Sequence, residues 1–394
     1  MQKAKDIEHG AGKRAGKHER VALACQGGDS LGAYHIGVYK AMDEAGYIPS
    51  MISGISIGAF TAAILAGNEP EKRVSKLMEF WDYISWPELG FFQDTIPILP
   101  DFADEIKRYH NTLSSLQGFV YGQPHFFLPR VPAPQMQFKG TVGATSYYDT
   151  AVLRDTLLKF VDFDLINAKK TRLLLGAVKV KTGELVFFDN ADTNTKIEPE
   201  HVMASGSMPP GFPGTRIDDD LYWDGGCVSN TPLDAILNAE PKERTLTFMV
   251  DLFNPVGEEP KSMDDVTSRS KDILYASRTA SHIDHVSRIH NLSKSLSHVI
   301  GLLPGEVKGG KLADEVKSLA TGLDFDIVHL VYKAPPYEVP TKDCEFSKSS
   351  IKDRMDHGYH DMKKALEHSP WLEPRHPYVG SKVYKYVNGM HKEV

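Results

Sequence analysis

The sequence predicts a three-layer α/β domain with a mostly parallel central sheet, and three observations carry that expectation. Between Val21 and Gly67 the order is strand, glycine-rich loop, helix, strand, serine turn, helix. Such a βαβα unit implies parallel strands joined by a right-handed crossover. Strand-like runs then return at Arg172–Val178, Leu246–Leu252 and Phe325–Tyr332. Finally, 394 residues with 41% hydrophobic content can bury a large core.

The N-terminus up to about Arg20 is polar and basic, without the apolar stretch of a secretory signal, and reads as a disordered tail. Val21-Ala22-Leu23-Ala24-Cys25 is a short apolar strand that runs into the loop Gln26-Gly27-Gly28-Asp29-Ser30-Leu31-Gly32. A helix with Tyr34, Val38, Met42 and Ala45 on one face follows and closes at Gly46. Ser50–Ser53 suits a buried strand, and Ala59–Ala66 is a small-residue helix stopped by Gly67.

Between these last two stands Gly54-Ile55-Ser56-Ile57-Gly58, which matches G-x-S-x-G, the nucleophile elbow. Loops at the carboxyl ends of neighbouring parallel strands converge, so the glycine loop should face Ser56. Its successive N–H groups suit a phosphate or the oxyanion of a tetrahedral intermediate. A dinucleotide site would need G-x-G-x-x-G with an acidic residue downstream, and a Walker loop would need Gly-Lys-Ser/Thr; neither occurs here. Beside a serine elbow the oxyanion hole is the better reading, and acyl transfer to serine the chemistry.

A serine nucleophile needs a base. Sixteen histidines leave a histidine available by count. The most conspicuous acidic turn is Asp224-Gly225-Gly226, although Asp-Gly is also a common turn dipeptide. His282 and His285 form an H-x-x-H pair that reads as solvated helix histidines rather than metal ligands.

From Phe80 to about Val131 the sheet pattern is interrupted by a proline-containing stretch with Trp81, Tyr83, Trp86, Phe91, Phe92, Phe119, Tyr121, Phe126 and Phe127. Beside an acyl-ester site such an insertion suits a lid, an acyl pocket or docking on a membrane surface; a satellite core of its own is equally open. The sheet resumes at Arg172, turns at Lys181-Thr182-Gly183 into Glu184–Phe188, and returns at Leu246. Ile283, Val286, Ile289, Leu292, Leu296 and Val299 mark a long helix stopped at Gly301 and Pro304, and a final helix is expected from Ile351 to Leu366. The expected organisation is a tail over 1–20, a catalytic domain over 21–255 with an insertion at about 80–135, and an extension over 256–394 packed on that domain.

Net charge of −7 disfavours nucleic acid as a partner. Three unpaired cysteines, Cys25, Cys227 and Cys344, suggest a reducing, cytoplasmic compartment, with Cys25 and Cys227 as small core residues. No run approaches the roughly 18 apolar residues of a membrane span. Oligomeric state, head group and chain length have no signature in the sequence.

Taken together, these motifs resemble the patatin-like phospholipases, whose signature is D-G-G-G-x-[KR]-G, then G-x-S-x-G, then a distant D-G-[GA]. Here these are Gln26–Gly32, Gly54–Gly58 and Asp224–Gly226. Ala204-Ser205 through Phe212-Pro213 is similar to the family's A-S-x-x-x-P-x-x-F-P segment, and Asn230-Thr231-Pro232-Leu233 fits after it. The resemblance covers roughly residues 20 to 250; the remainder is similar to an extension seen in a bacterial subgroup. It implies a patatin-like α/β/α fold with a C-terminal helical extension, and hydrolysis of lipid carboxylic esters without metal or cofactor. By position, Ser56 would be the nucleophile and Asp224 its base. Backbone N–H groups of the loop (Gly27, Gly28, Asp29) and of Ile57 would form the oxyanion hole. Gly32, Gly54, Gly58, Gly225 and Gly226 would shape the turns. The partners implied are a lipid or other acyl ester and a peripheral membrane surface.

Two departures matter. Asp29 stands where the family has its third loop glycine, and Leu31 where it has Lys or Arg. A carboxylate beside a developing oxyanion is repulsive, and losing one oxyanion donor costs about 2.7–4 kcal/mol. The sequence therefore suggests a slow hydrolase. An acyltransferase and a non-catalytic lipid-binding protein are the other readings it leaves open.

Overall fold

The computed structural model describes residues 17–86, 103–304, 311–320 and 322–392. Its strands are β1 (Arg20–Cys25), β2 (Met51–Ile55), β3 (Leu128–Pro129), β4 (Tyr148–Asp149), β5 (Arg172–Lys179), β6 (Glu184–Asp189), β7 (Thr215–Ile217), β8 (Asp220–Asp224), β9 (Thr245–Asp251), β10 (Phe325–Val331), β11 (Ser381–Val387) and β12 (Met390–Lys392). The main sheet runs β12-β11-β10-β9-β1-β2-β5-β8-β7, with β6 beside β5. From β11 to β5 all six strands are parallel; β6, β7, β8 and β12 join antiparallel. Every residue of β1, β2, β9 and β10 is buried, the signature of parallel strands covered on both faces.

The register sets up the site. Ile55 at the end of β2 pairs with Gly176 of β5, while the next residue of β5, Ala177, pairs with Asp224 at the end of β8. Ser56 and Asp224 therefore leave the sheet at the same level, on either side of β5. Cys25 is paired with Gly54, which brings the glycine loop to the same edge.

Helix Lys348–His368 packs along helix Ala33–Glu44 with the backbones in contact: a Cβ on Gly37 would overlap the Met355 carbonyl, and one on Gly358 the Tyr34 carbonyl. Tyr34 also donates to Asp361 Oδ2 at 2.9 Å. The chain beyond residue 255 contributes helices Met263–Leu302, Lys311–Leu319 and Lys348–His368, but also β10 to β12 in the same sheet. The helix expected from Ile283 begins twenty residues earlier, at Met263, where Ser262 caps it by accepting from Asp265 N.

The aromatics of the insertion divide. Phe80, Trp81, Phe126 and Phe127 belong to the main core, stacked among Phe60, Phe160, Phe212 and Phe346, whereas Phe119 and Tyr121 are exposed. A separate satellite core is thus not what these four form. Phe91 and Phe92 lie outside the described residues. Ahead of β1, His18 is buried with Nε2 2.8 Å from Asp326 Oδ2, and Glu19 pairs with Arg244, so residues just before Arg20 are folded and not part of a tail. Cys25 is a core residue, but Cys227 is exposed beside Met208. No helix among the described residues is long and apolar enough to cross a membrane.

Candidate active site

Ser56 sits between β2 and helix Ile57–Ala66 with φ 54° and ψ −132°, a conformation that costs a non-glycine residue on the order of 1–3 kcal/mol. The surroundings enforce it. Its N–H donates to Ser205, both the carbonyl and Oγ at 3.1 Å, and Ser205 Oγ in turn donates to Gly176 O at 2.6 Å. Gly54 and Gly58 meet backbone to backbone, since a Cβ on Gly54 would overlap the Gly58 carbonyl. With its own N–H tied down, Ser56 leaves the N–H of Ile57 as the first amide at the helix start.

Asp224 is fully buried. Its Oδ1 accepts from Gly226 N at 2.7 Å, and its Oδ2 has no hydrogen-bond partner among the described residues. Burial pushes its pKa up to about 7, against the downward pull of the Gly226 N–H and of the nearby Ser56 hydroxyl. That hydroxyl is close enough to stabilise the carboxylate, yet it forms no well-aligned bond to Oδ2. The result is a carboxylate with one oxygen held and the other buried without a partner among the described residues, basic enough to take a proton near neutrality.

The glycine loop closes the third side. A Cβ on Gly27 would come 2.7 Å from Ser56 Cβ and collide with Asn230 Oδ1. Asn230 Nδ2 donates to Gly27 O at 2.9 Å, and the Gly27 N–H is directed at Asn230 O, 3.4 Å away. Gln26 bridges Thr231 Oγ1 and Leu252 N. Gly28 and Asp29 lead into a 3-10 turn, Asp29–Gly32, and among the described residues their N–H groups make no backbone hydrogen bond. Gly225 and Gly226 form the turn below Asp224, and Gly32 ends the 3-10 turn where helix Ala33–Glu44 starts.

Asp29 adopts φ 46° and is half-buried. Packing around its carboxyl raises its pKa to about 7, helped by the charges of Asp343 and Asp224 and opposed by Lys271. Lys271 itself bonds both oxygens of Asp343, at 2.7 and 2.8 Å. The Leu31 side chain is fully buried in the core, which accounts for an apolar residue at that loop position. Between the Asp224 turn and helix Met263–Leu302 lies a cavity of about 540 Å³, lined by Met208, Asn230, Thr231, Leu274, Tyr275 and His282 among others. On its wall the partly exposed His282 has Nε2 2.6 Å from Asp234 Oδ1, which raises its pKa, while His285 is exposed.

Several contributors had no assigned role from sequence. Ser205 and Asn230 lie in motif segments that gave the clue. Lys271 and Tyr275 come from a helix whose first turns carried no readable pattern, so no signal pointed to them.

The sequence profile of the patatin-like phospholipases matches residues 23–237, and a second one, described as patatin phospholipase, matches residues 273–378. The triacylglycerol lipase SDP1L of Arabidopsis thaliana is 39% identical over 109 residues, 27% of this chain and 12% of that protein. Human patatin-like phospholipase domain-containing protein 6 is 38% identical over 61 residues, 16% of this chain and 4% of that protein. Triacylglycerol lipase ptl3 of Schizosaccharomyces pombe is 32% identical over 89 residues, 23% and 18% of the two chains. The matched stretches thus span less than a fifth of these relatives. Among solved structures, VipD from Legionella pneumophila aligns over 89% of this chain and 67% of its own, at 15% identity and a TM-score of 0.35. Human GIVD cytosolic phospholipase A2 aligns over 58% and 42%, at 12% identity and a TM-score of 0.33.

Proposed function

The chain belongs to the patatin-like phospholipase family, and from that premise we propose that it hydrolyses carboxylic esters of lipids through a Ser56–Asp224 dyad. The observation that carries this reading is the pairing of a strained serine with a fully buried carboxyl that feels the serine hydroxyl and whose Oδ2 has no partner among the described residues. Neither acyl transfer to another acceptor nor a non-catalytic role is favoured by the family match.

In the first half-reaction Asp224 Oδ2 takes the Ser56 hydroxyl proton as Oγ attacks the ester carbonyl carbon. The carbonyl oxygen becomes an oxyanion, held by the N–H groups of Gly28 and Asp29 with Ile57 as a further donor. Gly27 contributes through shape, because its N–H already faces Asn230 O. Collapse breaks the bond to the alcohol, which leaves with the proton from Asp224. Water then repeats the sequence on the acyl-enzyme: Asp224 takes its proton, the hydroxide attacks, and Ser56 leaves reprotonated with release of the acid. Neither half requires a metal or cofactor.

Water-insoluble substrates imply contact with a lipid surface. The exposed apolar residues Val131, Met136, Phe138 and Val142 suit that contact. They lie in a segment whose Tyr147 and Tyr148 N–H groups are bonded to Pro210 and Gly211, in the stretch that leads to Asp224. The test is labelling with a fluorophosphonate alongside hydrolysis of p-nitrophenyl butyrate and of phospholipid and triacylglycerol panels. Wild type should label and turn over, Ser56→Ala should do neither, and Asp224→Asn should lose about 10²–10⁴-fold in rate. A folded wild type that neither labels nor hydrolyses any ester would refute the proposal.

A further inference from the structure

The 3-10 turn that follows the oxyanion loop is anchored by a residue from the far end of the chain. Ser30, next to Asp29, is fully buried. Its hydroxyl donates to Lys342 O at 2.7 Å and accepts from Arg354 Nη1 at 2.8 Å, so both its roles are committed. Arg354 projects from helix Lys348–His368 and is itself 1% exposed.

The guanidinium has five N–H donors, and each has an acceptor. Nε and one Nη2 proton form a fork on Glu338, both at 3.0 Å. The second Nη2 proton goes to Lys342 O at 2.9 Å. The two Nη1 protons go to Glu345 O, at 2.8 Å, and to Ser30 Oγ. Glu338 is held in turn by the Tyr332 hydroxyl at 3.1 Å, and Glu345 Oε2 lies 3.8 Å from the guanidinium. Burial disfavours the cation, but Glu338 and Glu345 outweigh it, and Arg354 stays charged.

A buried fork with all its donors used has one geometry. It fixes Ser30, while the close packing of helix Lys348–His368 on helix Ala33–Glu44 fixes the helix into which the loop runs. Asp29, at φ 46°, lies immediately before this anchor. A left-handed non-glycine residue persists only where its surroundings over-determine it, and Arg354 with Ser30 supplies that constraint.

We propose that Arg354 is a positioning residue for ester hydrolysis: acting through the Ser30 hydroxyl, it holds the Gly28 and Asp29 N–H groups where the oxyanion forms. The inference rests on the reading of Ser56 and the glycine loop given above. It makes the C-terminal third of the chain part of the catalytic apparatus.

The test compares wild type, Ser30→Ala and Arg354→Lys in the full chain. Ser30→Ala removes the link and leaves the Arg354–Glu338 fork intact. Arg354→Lys keeps the charge but, with three donors in place of five, cannot maintain every bond. With p-nitrophenyl butyrate, each variant should lose about 10- to 100-fold in kcat while KM stays within about twofold, the scale of effect that a small displacement of reacting groups produces. Affinity for an alkyl trifluoromethyl ketone, whose adduct with serine carries an oxyanion, should fall by the same factor. Ser30→Thr, which restores the hydroxyl, should recover activity. A purely structural role would lower the amount of folded enzyme without moving kcat per labelled serine or the ketone affinity, and that result would overturn the proposal. Full kcat and ketone affinity in a folded Ser30→Ala would do the same. A wild type with no esterase activity and no fluorophosphonate labelling would instead remove the functional reading, and this inference with it.

Discussion

The proposed dyad makes a quantitative demand on pH. Asp224 must be ionised to accept the Ser56 proton, and burial holds its pKa at about 7, against about 3.9 for a free aspartate. Below neutrality the active fraction of the free enzyme therefore falls with unit slope. About 9% of Asp224 is ionised at about pH 6 and about 1% at about pH 5, so the rate set by Asp224 alone falls roughly 10-fold and then roughly 100-fold below its fully ionised limit. An ordinary carboxylate would show no loss in that range. The assay is initial-rate hydrolysis of p-nitrophenyl butyrate from about pH 4.5 to 9, followed at the isosbestic wavelength of the released nitrophenol.

Asp29 titrates in the same region with the opposite sign. Its pKa is also raised to about 7, and its ionised form would place a negative charge beside the proposed oxyanion site. The wild-type profile should thus be bell-shaped, with Asp224 giving the acid limb and Asp29 the alkaline one. In Asp29→Asn the alkaline fall should disappear and the acid limb remain. An acid limb near pH 4 in wild type, or its disappearance in Asp29→Asn, would refute the assignment of Asp224 as the buried base.

Three further outcomes follow from particular contacts. Lys271→Met removes a cation that lowers the Asp29 pKa and that pairs with Asp343, so the alkaline limb should move to higher pH, measured in the same assay. Gly358→Ala forces a methyl into the Tyr34 carbonyl; overpacking of this kind costs about 1–3 kcal/mol, to be read by urea denaturation, and should lower kcat by displacing the helix that carries Arg354. At Asp326, burial would raise the pKa, but His18 and Arg375 outweigh it and hold the group below its ordinary value. That contribution to stability is complete above about pH 4 and is lost as pH falls through the lower folded pKa. The stability gap between wild type and Asp326→Asn should therefore shrink in acid, by denaturation at a series of pH values.

The elements legible in the sequence are those whose residues face one environment throughout. β1, β9 and β10 are buried on both faces and read as unbroken apolar runs; the two glycine-flanked turns carry motifs because backbone contact excludes a side chain there. β11 escaped because exposed Lys382 and half-buried Lys385 interrupt its apolar residues in a strand near the sheet edge, and such a run resembles a polar loop. The first turns of helix Met263–Leu302 escaped because the helix is exposed on most faces there and has little periodicity to read. Lys271, Tyr275 and Arg354 reach the site only through tertiary packing. Arg354 in particular sits amid the charged run Lys352-Asp353-Arg354, where a fully buried guanidinium looks no different from a solvated one.

Asp29 is where the sequence and the folded molecule pull apart most instructively. Read from the sequence, its carboxylate opposes the very charge the loop is built to stabilise. In the fold, the packing that raises its pKa lets it carry a proton near neutrality, and a neutral carboxyl does not repel an oxyanion. The backbone cost at φ 46° remains, and the anchor at Ser30 and Arg354 meets it from the next residue along. Replacing Asp29 with glycine separates these two effects. Asp29→Gly should relieve the strain and gain stability, offset by the larger chain entropy of glycine when unfolded, while raising kcat only above about pH 7, where the wild-type carboxyl is ionised. An equal gain in kcat at about pH 6 would mean that the backbone conformation, and not the charge, limits the wild-type rate.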